Sequence, residues 1–112
     1  MRGGDGIASM ATDDQRREWL AKAAAARRKR AEVKRRVADG EATIEGVLAE
    51  SRSDRVVAAI RVGELVRSVP GVGDVRARRA MEQAGIAPDR RIRGVGQRQR
   101  EALVAAVRAM VG

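Results

Sequence analysis

The sequence predicts an all-α protein: a long N-terminal helix followed by a compact helical body with a helix-hairpin-helix or helix-two-turns-helix motif. Three observations carry this. Residues 13–38 contain no Gly or Pro and are rich in Ala, Arg, Lys and Glu, all good helix formers. Beyond them, apolar residues recur at helical spacing, with no alternating stretch that would signal a strand. Two Gly-Val-Gly triplets, at 71–73 and 94–96, each stand directly before a helical pattern.

Each element has local support. Residues 1–11 open Gly-rich and aperiodic and are expected to be disordered. Thr12 with Gln15 three positions on forms a capping box, and Asp13, Asp14 and Glu18 suit the positive end of a helix. Gly40 is the stop, so the long basic helix is assigned to 12–39 and the body to 40–112. The helix has few apolar positions: Trp19, Leu20, Ala23, Ala24, Ala31, Val33 and Val37. Its first half is expected to dock through Trp19 and Leu20. Its second half sets Arg27, Arg28, Lys29, Arg30, Lys34, Arg35 and Arg36 against Glu32 alone. Four consecutive cations reach every face of a helix at about 100° per residue, so this half is expected to project as a partly free arm. Thr43 can cap a helix over 44–51 with Ile44, Val47 and Leu48 on one face. Ser53 or Asp54 can cap a third carrying Val56, Val57 and Ile60, and residues 62–68 form a short helix with Leu65 and Val66 inward, followed by Val69.

Composition bounds the function. The 112 residues carry 21 Arg and 3 Lys against 15 carboxylates, a net charge of +9. The charge is concentrated at both ends: residues 1–40 hold +5, 41–69 hold −1 and 70–112 hold +5. Two basic blocks flanking a neutral middle suggest two contact surfaces for a polyanion. There is no Cys, His, Tyr or Phe, and Trp19 is the sole aromatic. This excludes thiolate and imidazole chemistry, thiolate- or His-ligated metal sites and an ordinary base-stacking surface. The carboxylates form no pair or triad beyond caps and salt bridges, so neither an enzyme nor a cofactor is expected. No apolar run approaches the roughly 20 residues of a membrane span, and residues 1–10 hold no apolar signal segment; a soluble, cytoplasmic protein is expected. Of 49 nominally hydrophobic residues 21 are Ala, so the core is expected to be compact but marginal.

The stretch Val69-Pro70-Gly71-Val72-Gly73 carries the most information. Pro70 ends one helix, and Gly71 and Gly73 allow a tight turn whose backbone can approach a phosphate. Val72 plugs the hairpin, and the free N–H groups of the next helix point at the anion. Arg76, Arg78 and Arg79 lie just beyond. The arrangement recurs 23 residues later as Arg93-Gly94-Val95-Gly96, before a helix from about Gln97 to Met110 that includes Arg98; Ala80, Met81 and Ala84 map onto Leu103, Val104 and Val107. Between the two, Ala87-Pro88-Asp89 turns into Arg90-Arg91-Ile92-Arg93. No strand pattern precedes either glycine pair, which disfavours a dinucleotide-binding turn, and no Gly-Lys-Ser/Thr supports a P-loop.

Two segments, Lys22 to Lys34 (KAAAARRKRAEVK) and Ile60 to Leu103, resemble the actinobacterial integration host factor family of small nucleoid-associated DNA-binding proteins. The resemblance implies a long helix on a helix-two-turns-helix body that binds duplex DNA with little sequence preference and bends or compacts it. Matched positions make Arg27, Arg28, Gly71, Gly73, Arg90, Arg91 and Arg93 the expected contacts; the basic runs and hairpins around them add Arg30, Lys34, Val72, Arg76, Gly94, Gly96 and Arg98. Asp74 stands where the family commonly has Lys, so the first hairpin is expected to bind more weakly. The expected partners are duplex DNA and a recombinase acting on the same DNA, with a monomer in solution, no metal and a nucleoid location. The alternative is an RNA-binding protein similar to a small-subunit ribosomal family. It is disfavoured because residues 102–112 carry only Arg108 rather than a basic tail.

Overall fold

The computed structural model describes residues 12–111; the disorder expected for residues 1–11 lies outside them. Six α-helices follow in order: α1 Asp13–Ala38, α2 Ile44–Glu50, α3 Arg55–Ala58, α4 Val62–Arg67, α5 Asp74–Gln83 and α6 Gln97–Val111, with a 3-10 turn at Ile92–Gly94 between the last two. The protein is all-α; among the described residues there is no strand, and one isolated antiparallel bridge joins Arg61 to Arg91. Around that bridge the Val62 N–H donates to the Arg90 carbonyl and the Ile92 N–H to the Ile60 carbonyl, both at 2.9 Å.

The caps follow from side-chain chemistry. Thr12 Oγ1 accepts the Gln15 N–H at 3.0 Å, and the Gln15 side chain accepts the Thr12 N–H at 2.8 Å. Thr43 caps α2 through the Gly46 N–H. Asp54, rather than Ser53, caps α3, accepting from Val56 and Val57. Ser53 instead donates to the Glu50 carbonyl.

One continuous core gathers residues from every α-helix and the 3-10 turn, with Ile60, Leu65, Ile92 and Leu103 its largest fully buried side chains. The α1 contribution reverses the expectation. Val33 and Val37, in the basic half, are 0% and 2% exposed, whereas Trp19 and Leu20 are 57% and 67% exposed. The basic half docks and the half bearing Trp19 projects. Two branched residues at i and i+4 form the buried stripe, and carboxylates from elsewhere in the chain meet the cations around it. Glu50 takes Lys29 at 3.4 Å and Arg36 at 3.5 Å, and Glu64 takes Lys34 at 2.8 Å. With 26 residues, α1 runs about 39 Å, which accounts for the elongated 63 × 27 × 25 Å outline.

Candidate nucleic-acid interface

Docking of α1 brings the two basic blocks together. Arg27, Arg30 and Lys34 line one wall of a cleft whose other wall is Ala59, Ile60, Arg61, Glu64 and Arg91. Arg91 also lines an adjoining groove with Asp89, Arg90, Arg93 and Gly94. Two separate surfaces were expected; the fold makes one connected basic surface with Arg91 at its centre. Among the described residues, Arg27, Arg30, Arg61, Arg90 and Arg93 form no salt bridge within 4.0 Å, so their charge is available to an anion.

The bridge holds Arg61 beside Arg91. The Arg91 Nη1 donates to the Ala59 carbonyl at 2.6 Å, which anchors its guanidinium plane at the cleft. Lys34 is the cleft cation already engaged, and Glu64 is the carboxylate that engages it. The Glu64 carboxyl is held below the usual range chiefly by the hydrogen bond from Lys34, with the charges of Lys34, Arg61 and Arg67 adding to it against the opposing effect of burial. Arg61 was missed by the sequence reading because it sits in the neutral middle segment. Its signal exists only as pairing across the bridge.

The remaining candidates lie outside this cleft, Gly94 being in the adjoining groove. Arg28 falls on the opposite side of α1 from Arg30, about 160° away at 100° per residue, and is exposed. The two glycine turns differ in both place and backbone. Arg76 Nη1 reaches the Gly71 carbonyl at 3.2 Å and the Met110 carbonyl at 3.4 Å, so the first turn sits at the C-terminal end of α6. Gly96 sits at its N-terminal end, about 21 Å away along a helix of this length.

Of the four glycines in the two turns, Gly71 alone has a positive φ, +85°; Gly73 is extended at φ −89°, ψ −170°, and neither Gly94 nor Gly96 has a positive φ. Within these turns the left-handed backbone that favours glycine is therefore confined to Gly71. Val72 is 4% exposed and packed in the core, out of reach of a ligand. Arg76 is drawn back onto carbonyl oxygens. At the second turn the amides are already engaged: Gly94 donates to the Arg91 carbonyl, Val95 to the Ile92 carbonyl, and Gly96 to Gln99 Oε1 at 3.0 Å. Gly94 serves packing instead, since a Cβ there would meet the Arg90 Cδ at 2.6 Å. The N-terminus of α5 has no side-chain cap and keeps the open-amide character inferred for both turns. Asp74 stands in its first turn, 3.4 Å from Arg67. Arg98 is exposed in the first turn of α6.

A second residue absent from the sequence reading is Arg100. Its guanidinium donates to the carbonyls of Val95, Leu48 and Ile92 and to Ser51 Oγ. Burial, with Arg52 nearby, lowers its pKa from the usual value. It ties the second turn to the end of α2 and is a structural cation.

Two helices flanking two turns, with a cationic cleft at one turn, define a helix-two-turns-helix protein, and residues 37–107 match the S13-like H2TH domain family. The chain belongs to the integration host factor family. It is 46% identical over 93 residues to Integration host factor of Mycolicibacterium smegmatis and 47% identical over 93 residues to that of Mycobacterium tuberculosis, in each case covering 83% of this chain and 89% of the relative. Against Integration host factor of Streptomyces coelicolor the identity is 46% over 88 residues, covering 79% and 82%. A solved structure of sIHF bound to an 8-base-pair palindromic DNA superposes with a TM-score of 0.71 at 41% identity, covering 82% of this chain and 99% of that one.

Proposed function

We propose that this protein is an architectural binder of duplex DNA that recognises the sugar–phosphate backbone with little sequence preference and bends or compacts the duplex. The observation that carries the reading is the convergence of Arg27, Arg30, Arg61 and Arg91 on one cleft continuous with Arg90 and Arg93. A cluster of six guanidinium groups, none of them in a salt bridge among the described residues, matches a phosphate track in charge and, through planar bidentate donors, in geometry. The family relationship, including a relative solved on DNA, supports duplex DNA over other polyanions. The basic surface holds no Asn or Gln among its lining residues, and those are the side chains suited to reading adenine in the major groove. The open N-terminus of α5 supplies a weaker second phosphate contact apart from the cleft, tempered by Asp74. Gripping a duplex at two such separated points rewards curvature. Assistance to a recombinase acting on the same DNA, and a nucleoid location, follow from this reading.

The test is a mobility shift with circularly permuted duplexes across a salt series. About 5–8 phosphates contacted give a slope of log K against log salt of roughly −4.5 to −7, with position-dependent mobility reporting the bend. A slope weaker than about −3, or tighter binding to structured RNA at equal salt, overturns the reading.

A further inference from the structure

The projecting half of α1 presents the protein's sole aromatic to solvent, and its direction is set by the docked half. At about 100° per residue, Val37 falls at the same angle round α1 as Trp19 and Val33 about 40° to one side. The face of α1 that meets the body therefore continues past its edge as an overhang. The cleft cations Arg30, Lys34 and Arg27 lie at about 20°, 60° and 80° from Trp19, and Leu20 lies at about 100°. Trp19 and Leu20 thus bracket the extension of the line of cations. Asp14, Glu18 and Glu32 lie roughly 100–140° away on the far side. The overhanging face is apolar and cationic; Asp13, about 120° from Trp19 and about 20° beyond Leu20, is the one α1 carboxylate at its edge, and the other acidic residues are turned from it.

We propose that Trp19 and Leu20 form an apolar contact with duplex DNA seated in the cleft, packing on the sugar edges or bases of the groove next to the phosphates held by Arg27 and Arg91. This rests on the duplex-binding reading above. Trp19 lies about 12 Å along the helix from Arg27, the scale of one DNA groove, about 6 to 12 Å wide. Apolar wedges beside cations are an established means of engaging and kinking a duplex. A second copy of the chain is a poorer occupant. At 57% and 67% exposure the pair offers on the order of 250 Å², against roughly 800 Å² per partner in a standard interface. The rest of the projecting face is Ala and charge.

Because Trp19 is the only Trp and no Tyr is present, the intrinsic fluorescence of the full chain reports this site alone. An unlabelled random-sequence duplex is titrated against Trp19 emission and acrylamide accessibility, while anisotropy of a fluorescein-labelled copy measures binding independently. The expected result is emission quenching and reduced acrylamide access, both saturating with the anisotropy. Trp19→Ala is expected to weaken binding about 5- to 30-fold, in the lower part of the range of one aromatic–nucleotide contact, with an unchanged salt slope because no phosphate contact is lost. Trp19→Phe restores most of the affinity. Binding by anisotropy with unaltered Trp19 emission, or with Trp19→Ala and Leu20→Ser at parental affinity, overturns the contact and leaves the duplex-binding reading standing. Emission that changes with protein concentration alone, with sedimentation showing a dimer, overturns it in favour of a second copy. Absence of any anisotropy change at low salt removes the duplex-binding reading and this contact with it.

Discussion

Lys34 Nζ lies 2.8 Å from Glu64 Oε1, so the one carboxylate lining the basic cleft is turned onto one of the cleft's own cations. The pair joins α1 to α4 and also subtracts a positive charge from the surface offered to an anion. Those two consequences have opposite signs and can be measured separately.

Glu64→Gln is expected to lower stability and tighten DNA binding together. The side chains are 32% and 39% exposed, so screening limits the stabilisation to about 0.5 kcal/mol. The carboxyl is held below its unfolded value of about 4.3. Its contribution is therefore fully present above that pH and fades as pH falls through the lower folded value. Urea midpoints of parent and variant should differ at pH 7 and converge only as pH falls below the lowered folded value of Glu64, while duplex affinity at pH 7 rises several-fold. Weaker binding by the variant would show that Glu64 positions Lys34 for contact.

Arg91 and Arg93 separate structure from binding within one loop. Arg91 donates to the Ala59 carbonyl, so Arg91→Ala should cost about 1 kcal/mol of stability as well as affinity. Arg93 is exposed, and Arg93→Ala should leave the thermal midpoint unchanged while reducing the salt slope by about 0.9. Calorimetry paired with a salt titration checks both. Parental affinity in both folded variants would sink the loop assignment.

Arg100→Met is expected to destabilise without touching the interface. It strips donors from the carbonyls of Leu48, Ile92 and Val95, a loss on the order of 2–3 kcal/mol. The folded fraction should bind duplex with the parental salt slope, as measured by anisotropy across a salt series below the thermal midpoint of the variant. A reduced slope would place Arg100 among the phosphate contacts.

Gly71→Ala and Gly73→Ala should behave differently although both sit in one motif. At φ +85° an Ala at 71 is strained by about 1–2 kcal/mol. At 73 the backbone is extended and a Cβ meets open space, so stability should barely move. Any loss of affinity in Gly73→Ala then reports close approach of a phosphate to the α5 N-terminus, and unchanged affinity would remove that contact.

The amino-acid sequence by itself determined the helices and their ends. Thr12, Thr43 and Asp54 announce caps, the residues from 13 to 38 offer nothing that would break a helix, and Pro70 and Gly71 enforce a turn; all of these act within a few residues through hydrogen bonds and backbone sterics. Tertiary structure alone decided which half of α1 docks, because Glu50 and Glu64, remote along the chain, meet Lys29, Arg36 and Lys34, and because Val33 and Val37 outweigh two larger apolar residues that find no surface to cover. It also decided that Gly94 and Gly96 are not a copy of the first turn, since Gln99 and the 3-10 hydrogen bonds consume their amides. The basic surface belongs to the same category: Arg61 becomes a neighbour of Arg91 only through the bridge. Local propensity is a short-range property of the backbone, whereas charge compensation and burial depend on which distant side chains the completed fold brings within a few ångströms.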